Sequence, residues 1–403
     1  MRRGRAGVDV LTSRAVILRQ FPPMGVYETL FRFADATRKY MGEPGTHPWA
    51  QGFPLTTQLP GGPTLPETIA IAAADRMYPK ADGQPQLRQA IAAYYNEFYG
   101  ARITADHVAV FAGGRPAIFA ILAFLRDGVT VAVEETEYTP YYDLLRVLGR
   151  EHVLIPSHPG NRFRPTLAEH PPEEPRLLLK SNPCNPTGVA TVGDDLRRLV
   201  AEYSRPGRGA LFDEAYEFFL EPEPESALRH VADIDATDLF VVGAATKGLQ
   251  APGMRVGWVV ASRAHIEVFR NYSSFGMGGV SRASQLYVTE LLQLERVRRA
   301  RSAVARFYAE QRERYAAGLR ALGCELFTGA GGFYHWLRLP GGTNGDAFNE
   351  RLFAHDAAIL PGRLCDMARR GERGPLGDMV RFSFGPLDPT SYAGDMAILA
   401  RCV

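Results

Sequence analysis

Lys247 stands among small residues in DLFVVGAATKGLQAPGMRVGWVV (238–260), between two apolar runs that read as strands, Leu239 to Val242 and Val256 to Ala261. An ammonium between strands deep in a sheet is costly unless paired or neutralised. A desolvated lysine amine with a lowered pKa is, for the same reason, a nucleophile suited to Schiff-base chemistry. Taken alone, Lys247 could equally be a solvated lysine on an interstrand loop. Other residues bear on the choice. Arg255 follows eight positions on. GGRPA (113–117) sets two glycines before a helix start, where free N–H groups and the helix dipole favour a phosphate. Asn185 lies in SNPCNPTG (181–188), where two X-Pro steps present an amide at a strand end or simply build a structural turn. FDEAY puts Asp213 at the end of an apolar strand and a phenol, Tyr216, three residues on. A buried aspartate needs a partner, either a protonated ring nitrogen or a neighbouring arginine. Arg381, in RFSF (381–384), offers the fork that grips a carboxylate, or is a strand-end surface arginine.

These residues fall where strands end. From His107 the chain alternates apolar strands with helices. The strands are 107–112, 130–135, 151–157, 176–183 and 209–216, and the helices 113–125, 141–149 and 193–205. Strands near-continuous in Val, Leu, Ile and Ala indicate a mostly parallel sheet covered on both faces, with its ligand at the strands' carboxyl ends. Upstream, Tyr27–Tyr40 reads as an amphipathic helix and 47–56 as a loop crossing a site. Residues 65–78 are helical by period, and a polar loop, Tyr78–Gly83, leads into a further helix. Downstream, 283–319 forms one long helix or two abutting ones. Single strands and helices in α+β order follow, including 333–339, 346–355, 359–362 and 379–385. The expected division is an N-terminal arm and helix over 1–50, a large domain over 51–300 and a small C-terminal domain over 301–403.

With 403 residues the chain can bury a sizeable core. A net charge of +2 from 46 basic and 44 acidic residues gives no field favouring nucleic acid or membrane. The four cysteines, Cys184, Cys324, Cys365 and Cys402, lack metal-ligand spacing or a disulfide framework, and a reducing, cytoplasmic setting fits. The basic start, MRRGRAGVDVLTSRAVILRQF, has no sustained apolar core and does not read as a signal; no apolar run is long enough to span a bilayer.

Phosphate cradle, amide, aspartate, phenol and amine together describe a site for pyridoxal 5′-phosphate (PLP). In order and spacing the chain resembles the fold type I, PLP-dependent class I/II aminotransferases over nearly its whole length. The points of likeness are Tyr78 with Gly83, GGRPA, Tyr138, NPTG, DEAY, Lys247 with Arg255, GGFYHW (331–336), ILPG and RFSF. The resemblance implies an α/β fold with a mostly parallel seven-stranded sheet and a smaller α+β domain. It implies that Lys247 carries the cofactor as a Schiff base and moves the substrate proton, and that Asp213 keeps the ring nitrogen protonated. Tyr216 and Asn185 would bond the ring oxygen and Tyr138 would stack on the ring. Gly114, Arg115, Thr246 and Arg255 would bind the phosphate, with Tyr78 reaching it from the other subunit of a homodimer. Arg381, helped by Asn185 and the Gly52 backbone, would hold the substrate α-carboxylate. The implied reaction moves an amino group between an L-amino acid and a 2-oxo acid, in the biosynthesis of a specialised amino acid.

Three positions depart from the family's pattern. Ala244 replaces a serine that contacts phosphate, and Arg115 could supply that contact. Glu137, beside Tyr138, could face a cationic substrate side chain or be solvated. His335 and Trp49 read as packing or site-wall residues. The same residues would also serve elimination, cyclisation or oxidation, as in capreomycidine synthase and the arginine oxidases. A binding module without turnover is disfavoured by the presence of both Lys247 and Asp213.

Overall fold

Leu177–Leu178–Leu179 and Leu239–Phe240–Val241–Val242 carry no polar alternation, so each strand must be covered on both faces. The computed structural model, which describes Leu18, Phe21 and residues 23–403, shows them covered. The expected arm and the non-signal start fall almost wholly outside the described residues. In chain order the elements begin with α1 (Val26–Thr37) and α2 (Pro85–Tyr99). There follow β1 (Val108–Phe111), α3 (Gly114–Ala123), β2 (Thr130–Glu134), α4 (Pro140–Leu148) and β3 (His152–Ile155). Next come β4 (Arg176–Ser181), α5 (Gly193–Tyr203), β5 (Arg208–Asp213), β6 (Asp238–Ala244) and β7 (Gly257–Val260).

These strands form one seven-stranded sheet in the order β1-β7-β6-β5-β4-β2-β3. Neighbours pair in parallel except at β7, which is antiparallel to both β1 and β6. The exception has a consequence for the site. The amino end of β7 lies with the carboxyl ends of the other strands, Gly257 opposite Phe111 on one side and Ala244 on the other. Arg255, two residues before β7, is thereby delivered to the same rim as Asp213 and Lys247. The loop after β4 joins them, since Ser181 pairs with Asp213.

Three helices follow: α6 (Arg263–Tyr272), α7 (Arg282–Leu291) and α8 (Leu294–Ala321). The 283–319 stretch is thus two abutting helices, broken where Gln293 adopts extended backbone. The sequence reading did not place α6; its signal is a Ser262 cap and the buried pair Ile266 and Phe269. Residue 300, the expected domain boundary, lies inside α8. Beyond it, β8 (Glu325–Leu326), β9 (Tyr334–Arg338), α9 (Gly345–Phe353), β10 (Leu360–Pro361), β11 (Met379–Ser383) and α10 (Tyr392–Cys402) complete the chain. The second sheet, β10-β11-β9-β8, is antiparallel throughout.

The helix expected over 65–78 is not formed. That stretch is irregular, with one short turn at Ala73–Arg76. Leu65 packs against the core, but Ile71 is 56% exposed and Met77 69%, so among the described residues most of the expected apolar face has no cover. An isolated helix of this length gains too little to offset its nucleation cost. Trp49 and His335 are packing residues. Trp49 lies against Phe382, and His335, held neutral by burial at a pKa of about 3, bonds the Arg312 carbonyl. No helix among the described residues is long and apolar enough to cross a membrane.

Candidate active site

The rim of the large sheet borders a cavity of about 80 Å³. Every residue expected to touch the cofactor lines it except Tyr78. Tyr78 is 94% exposed and stands outside the cavity of its own protomer. Arg381 and Gly52, expected to meet substrate, border the same space through bonds to its lining residues.

At one end, α3 begins at Gly114, directly after β1, so its unpaired N–H groups face the cavity. Gly113 has φ +110°, and a Cβ there would collide with the Arg255 guanidinium. Arg255 itself is left-handed, φ +56°, and its guanidinium donates to the Pro252 and Ala112 carbonyls. With Arg115 and Thr246 alongside, this end is cationic and rich in donors. Gly113→Ala is therefore expected to displace Arg255 and weaken binding of a phosphorylated ligand about 10- to 100-fold, the worth of a charged hydrogen bond. Equilibrium titration of the apoprotein checks this.

At the other end sits Asp213. Burial raises its pKa, opposed by a hydrogen bond from the Tyr141 hydroxyl (2.9 Å), another from the Ala215 N–H (3.2 Å) and the nearby Lys247. Tyr141 was not anticipated. Between the ends, Asn185 donates to the Tyr216 hydroxyl (3.4 Å), which in turn meets the Tyr334 hydroxyl at 2.6 Å. Tyr334 also went unassigned, although it lies in the quoted GGFYHW. Its ring lies 4.2 Å from the Arg381 guanidinium carbon. Arg381 is buried, donating to Asn185 Oδ1 (2.8 Å) and to the Ala50 carbonyl (2.7 Å). The 47–56 loop does cross the site: its Gly52 carbonyl accepts from Lys247.

The chain has four lysines, and their surroundings separate them sharply. Lys39 pairs with Asp356 at 2.7 Å, outside the cavity. Lys180 is buried, and burial works to lower its pKa, but Glu134, to which it is bonded, acts with Cys184 and Glu137 against burial and the pKa is raised. Lys80 is not in the cavity wall. Lys247 is half-buried in the cavity wall, and loss of solvation together with the Arg115 and Arg381 charges lowers its pKa to about 7. It alone among the four lines the cavity, and its amine is poised to lose its proton near neutrality.

Glu137 is neither solvated nor turned toward the cavity. It is fully buried behind the rim, accepting from Ser181 and from the Tyr138 N–H. Its neighbours on β2 and β4 leave no path to solvent, so the expectation that it meets a cationic substrate is withdrawn.

The donor set fits PLP. Its carboxylate could meet a protonated ring nitrogen, and its two arginines with a helix amino terminus could meet a phosphate. A deprotonatable lysine lies between. Comparisons with known proteins agree. The chain is 28% identical over 395 residues to the valine–pyruvate aminotransferase of Mycobacterium tuberculosis, covering 92% of this chain and 96% of that one. It is 27% identical over 304 residues to a probable aspartate/prephenate aminotransferase of Thermus aquaticus, covering 73% and 77%. A solved aminotransferase structure from Mycobacterium tuberculosis superposes with TM-score 0.75 at 25% identity, covering 97% and 98% of the two chains. The family model for aminotransferase class I and II matches residues 62–384. The chain therefore belongs to the class I and II aminotransferases, enzymes that use pyridoxal 5′-phosphate to pass an amino group from an amino acid to a 2-oxo acid.

Proposed function

We propose that this aminotransferase works through Lys247, whose amine binds the cofactor and then carries the substrate's α-proton. The observation that supports the reading most is a single half-buried amine of lowered pKa sharing one cavity with Asp213, Asn185, Tyr216 and Arg255. When bound there, PLP supplies an electron-withdrawing ring that takes up the charge developing at the α-carbon. Asp213 keeps its negative charge beside the ring nitrogen and so retains the nitrogen's proton. Asn185 and Tyr216 hydrogen-bond the ring oxygen, and Tyr138 covers the ring face. Gly114, Arg115, Thr246 and Arg255 bind the phosphate, with Arg115 standing in for the hydroxyl that Ala244 lacks. Arg381 and Asn185, with the Gly52 backbone, hold the amino acid's carboxylate and so orient its α-carbon over Lys247.

The active form in this reading is a cytoplasmic homodimer, in which Tyr78 completes the neighbouring protomer's phosphate site. Two features support it: Tyr78 and the apolar side chains of Ile71 and Met77 are exposed in one protomer, and all four cysteines are free and buried. The 51–300 and 301–403 units act as the cofactor-bearing and the closing domains, with α1 packing on the latter or on the dimer partner. Amino-acid biosynthesis is the proposed setting.

The amine's pKa carries a pH signature. A lysine attacks only when neutral, so capture of PLP by the apoprotein is expected to accelerate from pH 6 to 8 and level off above a midpoint near 7. Stopped-flow absorbance follows it, and a rate still climbing steeply at pH 9 would mean that Lys247 is not depressed. Function itself is tested by presenting single amino acids to the loaded enzyme, beginning with aspartate and valine, which the relatives' names carry. One equivalent of 2-oxo acid per site, with the amino group retained on the cofactor, is the expected result. Ammonia release, oxygen uptake or a cyclised product would replace this reading.

A further inference from the structure

A buried acid behind the cavity has no part in the reaction as described so far. Glu137 follows β2 and has no solvent exposure. Its Oε1 accepts from the Ser181 N–H (2.8 Å), and its Oε2 from both the Ser181 hydroxyl (2.7 Å) and the Tyr138 N–H (2.7 Å). Three donors converge on the two oxygens of one carboxyl group, and burial and Glu134 raise its pKa to about 8 against the Ser181 bonds and Lys180. The nearby Lys180 is engaged by Glu134 and does not make a bond to it.

The arrangement fixes a direction of hydrogen bonding. Because the Ser181 hydroxyl gives its proton to Glu137, its lone pairs are free to accept, and they take the Asn185 N–H at 3.1 Å. Asn185 then accepts from Arg381 Nη1 and donates to the Tyr216 hydroxyl. From the same carboxyl, the bond to the Tyr138 backbone pins the residue whose ring lines the cavity's other wall. One buried acid thus ties together two loops, after β2 and after β4, that approach the cavity from different strands.

We propose that Glu137 is a positioning residue for substrate recognition. It orients the Ser181 hydroxyl and the Tyr138 backbone so that Asn185 with Arg381, and the Tyr138 ring, meet the amino acid and the cofactor in one geometry. The proposal rests on the assignment of Asn185 and Arg381 to the substrate carboxylate. Glutamine at 137 has the right size but only one acceptor oxygen. Its NH₂ would face an N–H or O–H donor, so at least one of the three bonds becomes a repulsion. Ser181→Ala cuts the same link without altering the buried acid.

Glu137→Gln, Ser181→Ala, their double variant and Arg381→Ala are compared with the native enzyme in two measurements. In the PLP-loaded enzyme, the first two substitutions are expected to raise the amino-acid KM about tenfold or more, with kcat within about threefold and full cofactor content. The double variant is expected to be no worse than the more severe single one, as for two residues in one chain of bonds. In the apoprotein, hydrogen exchange at the Asn185 amide is expected to speed up at least about tenfold, while the amides of β4 stay protected. If Arg381→Ala raises KM but Glu137→Gln and Ser181→Ala leave both KM and Asn185 exchange unchanged, the proposal is overturned and the carboxylate assignment stands. If Arg381→Ala leaves KM unchanged, the carboxylate assignment falls, and the substrate part of the proposal falls with it. Should Glu137→Gln not fold, Ser181→Ala decides by the same two readouts.

Discussion

Lys247→Ala is expected to leave a folded protein that lacks the long-wavelength absorption of the native enzyme and has lost about 10⁴-fold or more in kcat, the upper range for a positioned proton carrier. The argument begins with solvation. At position 247 the ammonium form is disfavoured first by burial and then by Arg115 and Arg381, which bring the pKa down from its ordinary 10.5 to about 7. At neutral pH roughly half the molecules then hold a free amine. None of the other lysines can replace it. Lys180 is locked to Glu134, Lys39 pairs with Asp356 far along the chain, and Lys80 is outside the cavity. The fold should tolerate the change, because removing Lys247 leaves its Gly52 acceptor facing the cavity rather than a packed core. A variant that keeps both colour and turnover would contradict the role.

Asp213→Asn is expected to lower kcat by roughly 10²–10³-fold or more, a loss typical of removing one preorganised electrostatic contact, while PLP affinity changes by less than about tenfold. Asparagine has the same shape, and its carbonyl can still accept from Tyr141, whose hydroxyl lies 2.9 Å from Asp213 Oδ2. What it lacks is negative charge, without which a ring nitrogen beside it sheds its proton and the ring withdraws electrons poorly. Affinity is carried largely elsewhere, by Arg255, Arg115 and the start of α3. A split between kcat and Kd therefore identifies an electronic role. Equal losses in the two would mean that Asp213 serves mainly to hold the cofactor in place. Steady-state kinetics alongside apoprotein titration gives both numbers.

Much of this site can be read from local sequence, for a physical reason. The central strands are apolar on both faces, which sets their type, and the parallel arrangement places functional residues where strands end. Asp213 ends such a strand, and Asn185 and Lys247 each follow one within a few residues. What local sequence does not carry is the company that distant elements bring. Tyr334 reaches Tyr216 because β9 pairs with β11, Tyr334 opposite Ser383, and the two tyrosines are 118 positions apart. Tyr141 meets Asp213 across 72 positions, through the order in which β2, β4 and β5 sit side by side. Glu137 is a charged residue in a polar run, and its burial follows from Ser181 packing beside it, not from anything at 135–139. The failed helix at 65–78 shows the converse. Its period is sound and Leu65 packs on the core, yet no described element covers Ile71 and Met77, which remain exposed.

The claim on which the rest depends is that one particular amine holds the cofactor. Borohydride reduction of the native enzyme, followed by proteolysis and mass spectrometry, tests it without reference to turnover. With only Lys39, Lys80, Lys180 and Lys247 available, the assignment is unambiguous. The expected result is one pyridoxyl group per chain, on the peptide containing Lys247. A pyridoxyl group on any of the other three, or none on Lys247 in enzyme that is fully active, would contradict the account.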